Sequence, residues 1–255
     1  IYGNGACEEI FARAIHMTSA VREKIILQSK CGIRDTSYDF SKQHILDAVD
    51  GSLRRLQTDY LDILLLHRPD ALVEPEVVAE AFNQLQDSGK VRNFGVSNHK
   101  PMQIELLQHT LRRPILANQL QLSITNATMI SNGINVNMEN DSALDRDGSV
   151  LDYCRLHEIT IQPWSPFQFG FFGGVFLDNP RFPELNAAIT DLADQYGVTN
   201  TTIALAWILR HPAKMQPIIG TMNVGRLIDC VKAAEIMLTH DEWYRIYLAA
   251  GNTLP

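Results

Sequence analysis

The feature of this chain that most restricts its fold is an alternation. Short, nearly continuous apolar runs are followed repeatedly by longer segments with apolar residues at helical spacing. "KIILQSK" (24–30) precedes 41–57, where Ile45, Val49, Leu53 and Leu56 recur behind Ser41, a suitable N-cap. "LDILLLH" (61–67) precedes 75–89, with Pro75 suited to a first turn and Gly89 to a helix end. "VRNFGVSN" (91–98) precedes 102–111, "ILANQLQLS" (115–123) precedes 150–158, and "ITIQPWSP" (159–166) precedes two helical segments. "QPIIGT" (216–221) precedes "GRLIDCVKAAE", and a last helix is expected near 240–250. Apolar strands alternating with amphipathic helices predict an α/β fold with a parallel sheet covered by helices.

Two architectures answer to that pattern, an open doubly wound sheet and a closed (β/α)8 TIM barrel. No GxGxxG follows an early strand, which weakens the open dinucleotide-binding sheet. The barrel is favoured, although it needs eight strands and only six are read here. The chain starts at Ile1 without Met and reads as the interior of a longer product. The expectation is one barrel domain over 1–255 that lacks its first strand, first helix and most of its second strand. With 255 residues, 45% of them hydrophobic, a sizeable core is expected. Residues 124–148 have no clear periodicity and many asparagines, so a functional or mobile loop is expected there.

The net charge of −7 gives no general attraction to nucleic acid, and no apolar run is long enough for a membrane span. The four cysteines are scattered and the first residues carry no signal-peptide pattern, so a cytoplasmic protein with reduced thiols is expected. No second ligand stands at metal-binding spacing from His67, and no metal site is expected. His16, His44, His109, His157, His211 and His240 read as surface residues, and His99 as peripheral to the site.

The strands end alike. Each closes on polar or special residues: Ser29-Lys30, His67-Arg68, Ser97-Asn98, Asn118-Gln119, Trp164-Ser165 and Gly220-Thr221. In a barrel these ends converge on one face, where catalytic groups come from several strands. Taken singly, a histidine closing a strand is more often structural and a lysine there more often solvated. Taken together they suggest a shared site. Lys30, His67 and a nearby tyrosine could polarise a carbonyl, because a cation beside a phenol lowers its pKa. Ser97, Asn98 and Gln119 are uncharged partners suited to a carboxamide. Trp164 could stack on a flat heteroaromatic ring. The strand end at Gly220-Thr221, with a helix start and Arg226, suits a phosphate.

The pieces "IYGNG", "SKCGI", "LDILLLHRPD", "GKVRNFGVSN", "NQLQLS", "QPWSP" and "PIIGTMNVGRL", in that order, resemble the aldo-keto reductase superfamily over essentially the whole chain. "HRPD" and "GKVRNFGVSN" look most like its bacterial members. The resemblance implies a (β/α)8 barrel that reduces aldehydes or ketones with NADPH. It gives Tyr2 the role of proton donor, Lys30 that of tuning the phenol, and His67 that of orienting the carbonyl. It places Ser97, Asn98 and Gln119 at the nicotinamide carboxamide and Trp164 under the ring. Ser165, Phe167 and Gly170 match the pyrophosphate loop. Gly220, Thr221, Met222 and Arg226 match the segment around the adenosine 2′-phosphate. The family's catalytic aspartate, five positions before the tyrosine, would precede Ile1. Many relatives carry lysine where this chain has Gly220, so NADP(H) preference is expected to rest on Arg226, Thr221 and backbone donors.

Two other readings compete. A lyase could use Lys30 as a Schiff base, which leaves Trp164, Ser97, Asn98 and Gln119 without work. A weakly active or inactive relative could hold NADP as a bound regulatory ligand. The substrate is expected to be a small carbonyl compound, and the aromatic stretch "FQFGFFGGVF" (167–176) suggests an apolar or aromatic one. The sequence is silent on oligomeric state.

Overall fold

The computed structural model describes residues 3–255. The chain forms two compact units, 1–118 and 119–255. Its regular strands are β1 (Gln28–Cys31), β2 (Leu61–Leu66), β3 (Val91–Ser97), β4 (Ile115–Gln121) and β5 (Thr160–Trp164), in sheet order β1-β2-β3-β4-β5. Among the described residues this sheet does not close on itself. β4 carries the chain from the first unit into the second.

In the first unit β1, β2 and β3 pair in parallel, with Lys30 opposite Leu65 and Leu65 opposite Gly95. The apolar residues of β2 explain its central place: Leu61, Leu64, Leu65 and Leu66 are all buried. Each such side chain contributes roughly 1.5–3 kcal/mol on burial. Gly95 is required by close approach. A Cβ there would lie 2.8 Å from the Ala117 carbonyl oxygen and 2.5 Å from a Leu65 methyl.

The predicted helices form where the periodicity put them. Ser41 caps α3 (Lys42–Leu56) by accepting from the His44 N–H at 3.4 Å, and Ile45, Val49, Leu53 and Leu56 turn inward. Pro75 opens α4 (Pro75–Asp87), and Gly89 follows it with φ 73. α5 (Pro101–Gln108) follows β3. Two helices precede β1 where no element is predicted, α1 (Ala6–Ala14) and the single turn α2 (Ser19–Arg22). α1 buries Ala12 while Ile10 and Phe11 stay exposed, and its nine residues give too few turns for a period to stand out in sequence.

In the second unit, residues 124–148 hold α6 (Thr128–Ile134) and a 3-10 turn at Asp141–Ala143 rather than one long loop. The asparagines there serve local turns. Asn140 Oδ1 accepts from the Ala143 N–H at 3.0 Å, and Asn135 Nδ2 donates to the Ser131 carbonyl at 2.9 Å. A seven-residue helix with Asn and Gly inside it is too short to show a period. Then come α7 (Val150–Leu156), β5, α8 (Pro183–Tyr196) and α9 (Asn200–Leu209), with α10 (Val224–Lys232) and α11 (His240–Ala249) last. Trp207 and Trp243 stack at 4.7 Å, and each indole N–H donates to the other residue's carbonyl.

The sixth strand expected at 216–221 is not a regular strand. Its backbone still runs along β5, with Gln216 N–H donating to the Ile161 carbonyl at 3.0 Å and Ile218 N–H to the Pro163 carbonyl at 2.8 Å. A parallel ladder would need the return bond from residue 163 to the carbonyl of Gln216. Pro163 has no N–H to give. No helix among the described residues is long and apolar enough to cross a membrane.

Candidate active site

Tyr2 lies outside the described residues. The other candidates fall into two groups, one in each unit.

In the first unit the strand register puts three candidates on one face. Lys30 faces Leu65, and side chains alternate along a strand, so His67 follows Leu65 onto the same face. Gly95 faces Leu65, so Ser97 joins them. The His67 N–H donates to the Cys31 carbonyl at 3.0 Å, which continues the pairing past the end of β2. Both ionisable groups are shifted. Burial lowers Lys30 to about 8, leaving it still mainly cationic at neutral pH. Burial lowers His67 to about 4, with the charges of Lys30 and Arg68 adding to the effect, so its imidazole is neutral. A neutral imidazole beside a cation is a hydrogen-bond donor that holds no proton to lose near pH 7.

The turn after β3 is built on Asn98, which has a left-handed backbone, φ 59. Its Nδ2 donates to Ser97 Oγ at 2.8 Å and to the His67 carbonyl at 3.4 Å. Ser97 is buried. His99, read as peripheral, is buried too, and burial lowers it to about 4 against the opposing effect of its bond to Ser97. His44 and His211, read as surface residues, are partly buried and both lowered, His211 to about 4.

Behind these groups an anchor ties α1 to the sheet. Glu8 accepts from Ser29 Oγ at 2.5 Å and from Arg55 Nε at 2.8 Å. Arg55 packs against Gly5, where a Cβ would lie 2.5 Å from Nε. Ser29 precedes Lys30, so this ion pair fixes the strand that presents it. Nothing in the spacing of Glu8 and Arg55 announced the pair.

In the second unit, Gln119, expected to close its strand, lies inside β4, which runs on to Gln121; it is buried and donates from Nε2 to Gln162 Oε1 at 3.1 Å. Gln162 donates in turn to Gln216 Oε1 at 2.9 Å. This relay of carboxamides orients Gln119, and neither Gln162 nor Gln216 was singled out from the sequence. Trp164 ends β5 half-buried, beside Phe171 at 6.4 Å and Phe172 at 6.2 Å. The next residue, Ser165, is left-handed at φ 53. Residues 167–176 then form a tight hairpin. Phe176 N–H donates to the Phe167 carbonyl at 3.0 Å, and Gln121 Nε2 donates to the Gly170 carbonyl at 2.6 Å. Gly220 and Met222 are exposed and Thr221 is half-buried. Thr221 Oγ1 accepts from the Asn223 N–H at 3.1 Å, and Asn223 caps α10 by accepting from the Arg226 N–H at 3.0 Å. Arg226, in the first turn of α10, is exposed.

A family profile described as "Aldo/keto reductase family" matches residues 1–249. The chain belongs to that family. The "Uncharacterized oxidoreductase YcsN" of Bacillus subtilis (strain 168) is 36% identical over 268 residues, covering 100% of this chain and 83% of the relative. A "6-dehydroglucose reductase" of Agrobacterium fabrum is 32% identical, covering 99% of this chain and 82% of the relative. A crystal structure of an aldo-keto reductase from Klebsiella pneumoniae in complex with NADPH superposes with a TM-score of 0.76 at 25% identity, covering 100% of this chain and 78% of that one. The chain is therefore an oxidoreductase of carbonyl chemistry, and its fold class is the (β/α)8 barrel. The described residues supply five regular staves of that design.

Proposed function

We propose that the protein reduces a small aldehyde or ketone to an alcohol with NADPH. The observation that carries this reading is the pair at the ends of β1 and β2: a half-buried lysine with a lowered pKa and a neutral histidine on the same face. That pair suits a carbonyl that must be hydrogen-bonded and then protonated.

The cofactor, when bound, supplies the hydride. The chain's residues fit it: Ser97, Asn98 and Gln119 offer neutral donors and acceptors, and none brings a charge that a carboxamide would leave unpaired. Trp164 offers a half-buried ring, and Ser165, Phe167 and Gly170 hold a tight backbone loop beside it. Gly220, Thr221, Met222 and Arg226 bring an exposed cation to a capped helix start, and the NADP(H) preference rests on Arg226, Thr221 and backbone donors. His67 donates to the carbonyl oxygen. Tyr2 gives that oxygen its proton, and the Lys30 charge lowers the phenol's pKa. The two units act in this reading as one barrel domain over 1–255.

Reaction of 4-nitrobenzaldehyde with NADPH deuterated at C4 tests the reading. We expect one deuterium on the alcohol carbon and loss of turnover by about 10²–10⁴-fold in Tyr2→Phe. Tight NADPH binding without product would favour a regulatory protein. The lowered pKa of Lys30 also suits a Schiff base, which predicts a covalent adduct with the aldehyde on borohydride treatment. We expect no adduct.

A further inference from the structure

One fully buried polar side chain in the first unit is not used by the chemistry above. Asn118, on β4, is 0% exposed. A buried carboxamide left unpaired would cost on the order of 1–3 kcal/mol. It is paired in an unusual way. Its Nδ2 donates to the His99 carbonyl at 2.9 Å, and its Oδ1 accepts from the His99 backbone N–H at 3.5 Å. The side-chain amide thus stands where a neighbouring strand's peptide would stand, at the place where β3 has ended and the backbone turns.

His99 passes the constraint back. Its ring stacks on Phe40 at 6.3 Å with 7° between planes, and its Nδ1 lies 2.9 Å from the Ser97 carbonyl. A carbonyl only accepts, so Nδ1 carries the proton and donates. His99 is therefore held by Asn118 and itself holds Ser97, so both neighbours of Asn98 are fixed. Asn98 sits between them with φ 59, a conformation that costs a non-glycine residue on the order of 1 kcal/mol and persists when its surroundings over-determine it.

We propose that Asn118 is a positioning residue. Its carboxamide, acting through His99, fixes the left-handed turn that aims Ser97 and Asn98 at the nicotinamide half of the cofactor. This rests on the assignment of Ser97 and Asn98 made above. The plainer role for Asn118 is structural, and it would change stability without regard to which part of a ligand is present.

The test uses two ligands, NADPH and 2′-phosphoadenosine diphosphoribose, which lacks the nicotinamide. It uses three single variants and one double variant. Asn118→Asp keeps the shape and the acceptor but sets an acceptor against the His99 carbonyl. His99→Phe keeps the stack on Phe40 and loses the bond to Ser97. Asn98→Ala removes the contact itself. We expect Asn118→Asp to raise the Kd of NADPH about tenfold, the size of one lost hydrogen bond, while the fragment's Kd stays within about twofold. His99→Phe should move NADPH alone in the same direction, by less. The Asn98→Ala/Asn118→Asp double variant should bind no worse than the weaker single one. Equal losses for both ligands, or wild-type binding with only a lowered Tm, would overturn the positioning role. If Asn98→Ala fails to discriminate between the ligands, the cofactor assignment falls instead. Should Asn118→Asp not fold, His99→Phe decides by the same two outcomes.

Discussion

The two ends of β2 are electrostatic opposites. At its start, Asp62 is ionised and surrounded. Its Oδ2 accepts from Arg22 at 2.7 Å and from the Leu27 N–H at 2.8 Å, and its Oδ1 accepts from Arg92 at 3.0 Å. Burial alone would raise its pKa, but the Leu27 N–H and the two guanidinium groups outweigh that and lower it. Arg22 is itself buried and also donates to the Tyr60 and Ile25 carbonyls and to Thr58. Arg22 and Arg92 both lie over the Tyr60 ring, at 3.7 Å and 3.9 Å. Past the other end, His67 is held neutral near a cation by burial and like charge. One end satisfies every charge it buries. The other tolerates groups displaced from their ordinary protonation, as expected of the strand ends that carry chemistry in this fold class.

Substitutions should separate the two ends. His67→Ala should lower kcat by about 10²–10⁴-fold, the usual weight of a positioned acid–base or polarising group, and leave the melting temperature nearly unchanged. Asp62→Ala should do the reverse. It strands the buried Arg22 charge, so the unfolding free energy should fall by roughly 3–5 kcal/mol in a denaturant titration while KM holds. Arg226→Ala should weaken NADPH about tenfold or more and NADH little, the effect of removing one charge-assisted phosphate contact. Equal loss for both cofactors would remove the NADP preference from that residue.

Acid and base sharpen the comparison further. His67, His99 and His211 titrate near 4 when folded, against an ordinary value of 6.5. Between those values the unfolded chain binds more protons, so stability is full above about 6.5 and is lost as the pH falls toward 4. The kcat profile should show no His67 inflection between about pH 5 and 8. On the alkaline side, Lys30 loses its proton near 8, and turnover that depends on its charge should fall there. Stability should move the other way. From about 8 to the ordinary lysine value of 10.5 the unfolded chain binds the extra proton, so Lys30 makes the fold more stable as the pH rises. The alkaline loss of turnover should vanish in Lys30→Met, and a loss that survives would assign it to another group.

What could be read from the sequence follows from what each residue must do. β2 was legible because burial makes it a nearly continuous apolar run, and α3 because burial on one face imposes a helical period on it. Lys30, His67 and Ser97 were legible because they interrupt apolar strands at their ends. α1 was not, since its nine residues give too few turns for a period to stand out. The last stave was read as a strand because its composition is that of one, but Pro163 on the neighbouring strand withholds a ladder bond. Asn118 and His99 were visible only as polar letters beside better-known ones. Their pairing depends on a backbone turn that no spacing rule encodes, and the same holds for Gln162 behind Gln119.

The division between the ends of β2 is tested most directly by measuring kcat and the unfolding midpoint in the same preparations of His67→Ala and Asp62→Ala. We expect a hundredfold or greater loss of kcat with an unchanged midpoint for His67→Ala. For Asp62→Ala we expect a lowered midpoint with near-normal kcat per folded molecule. If His67→Ala lowers the midpoint as far as Asp62→Ala and keeps its turnover, His67 is part of the scaffold and the proposed site is wrong.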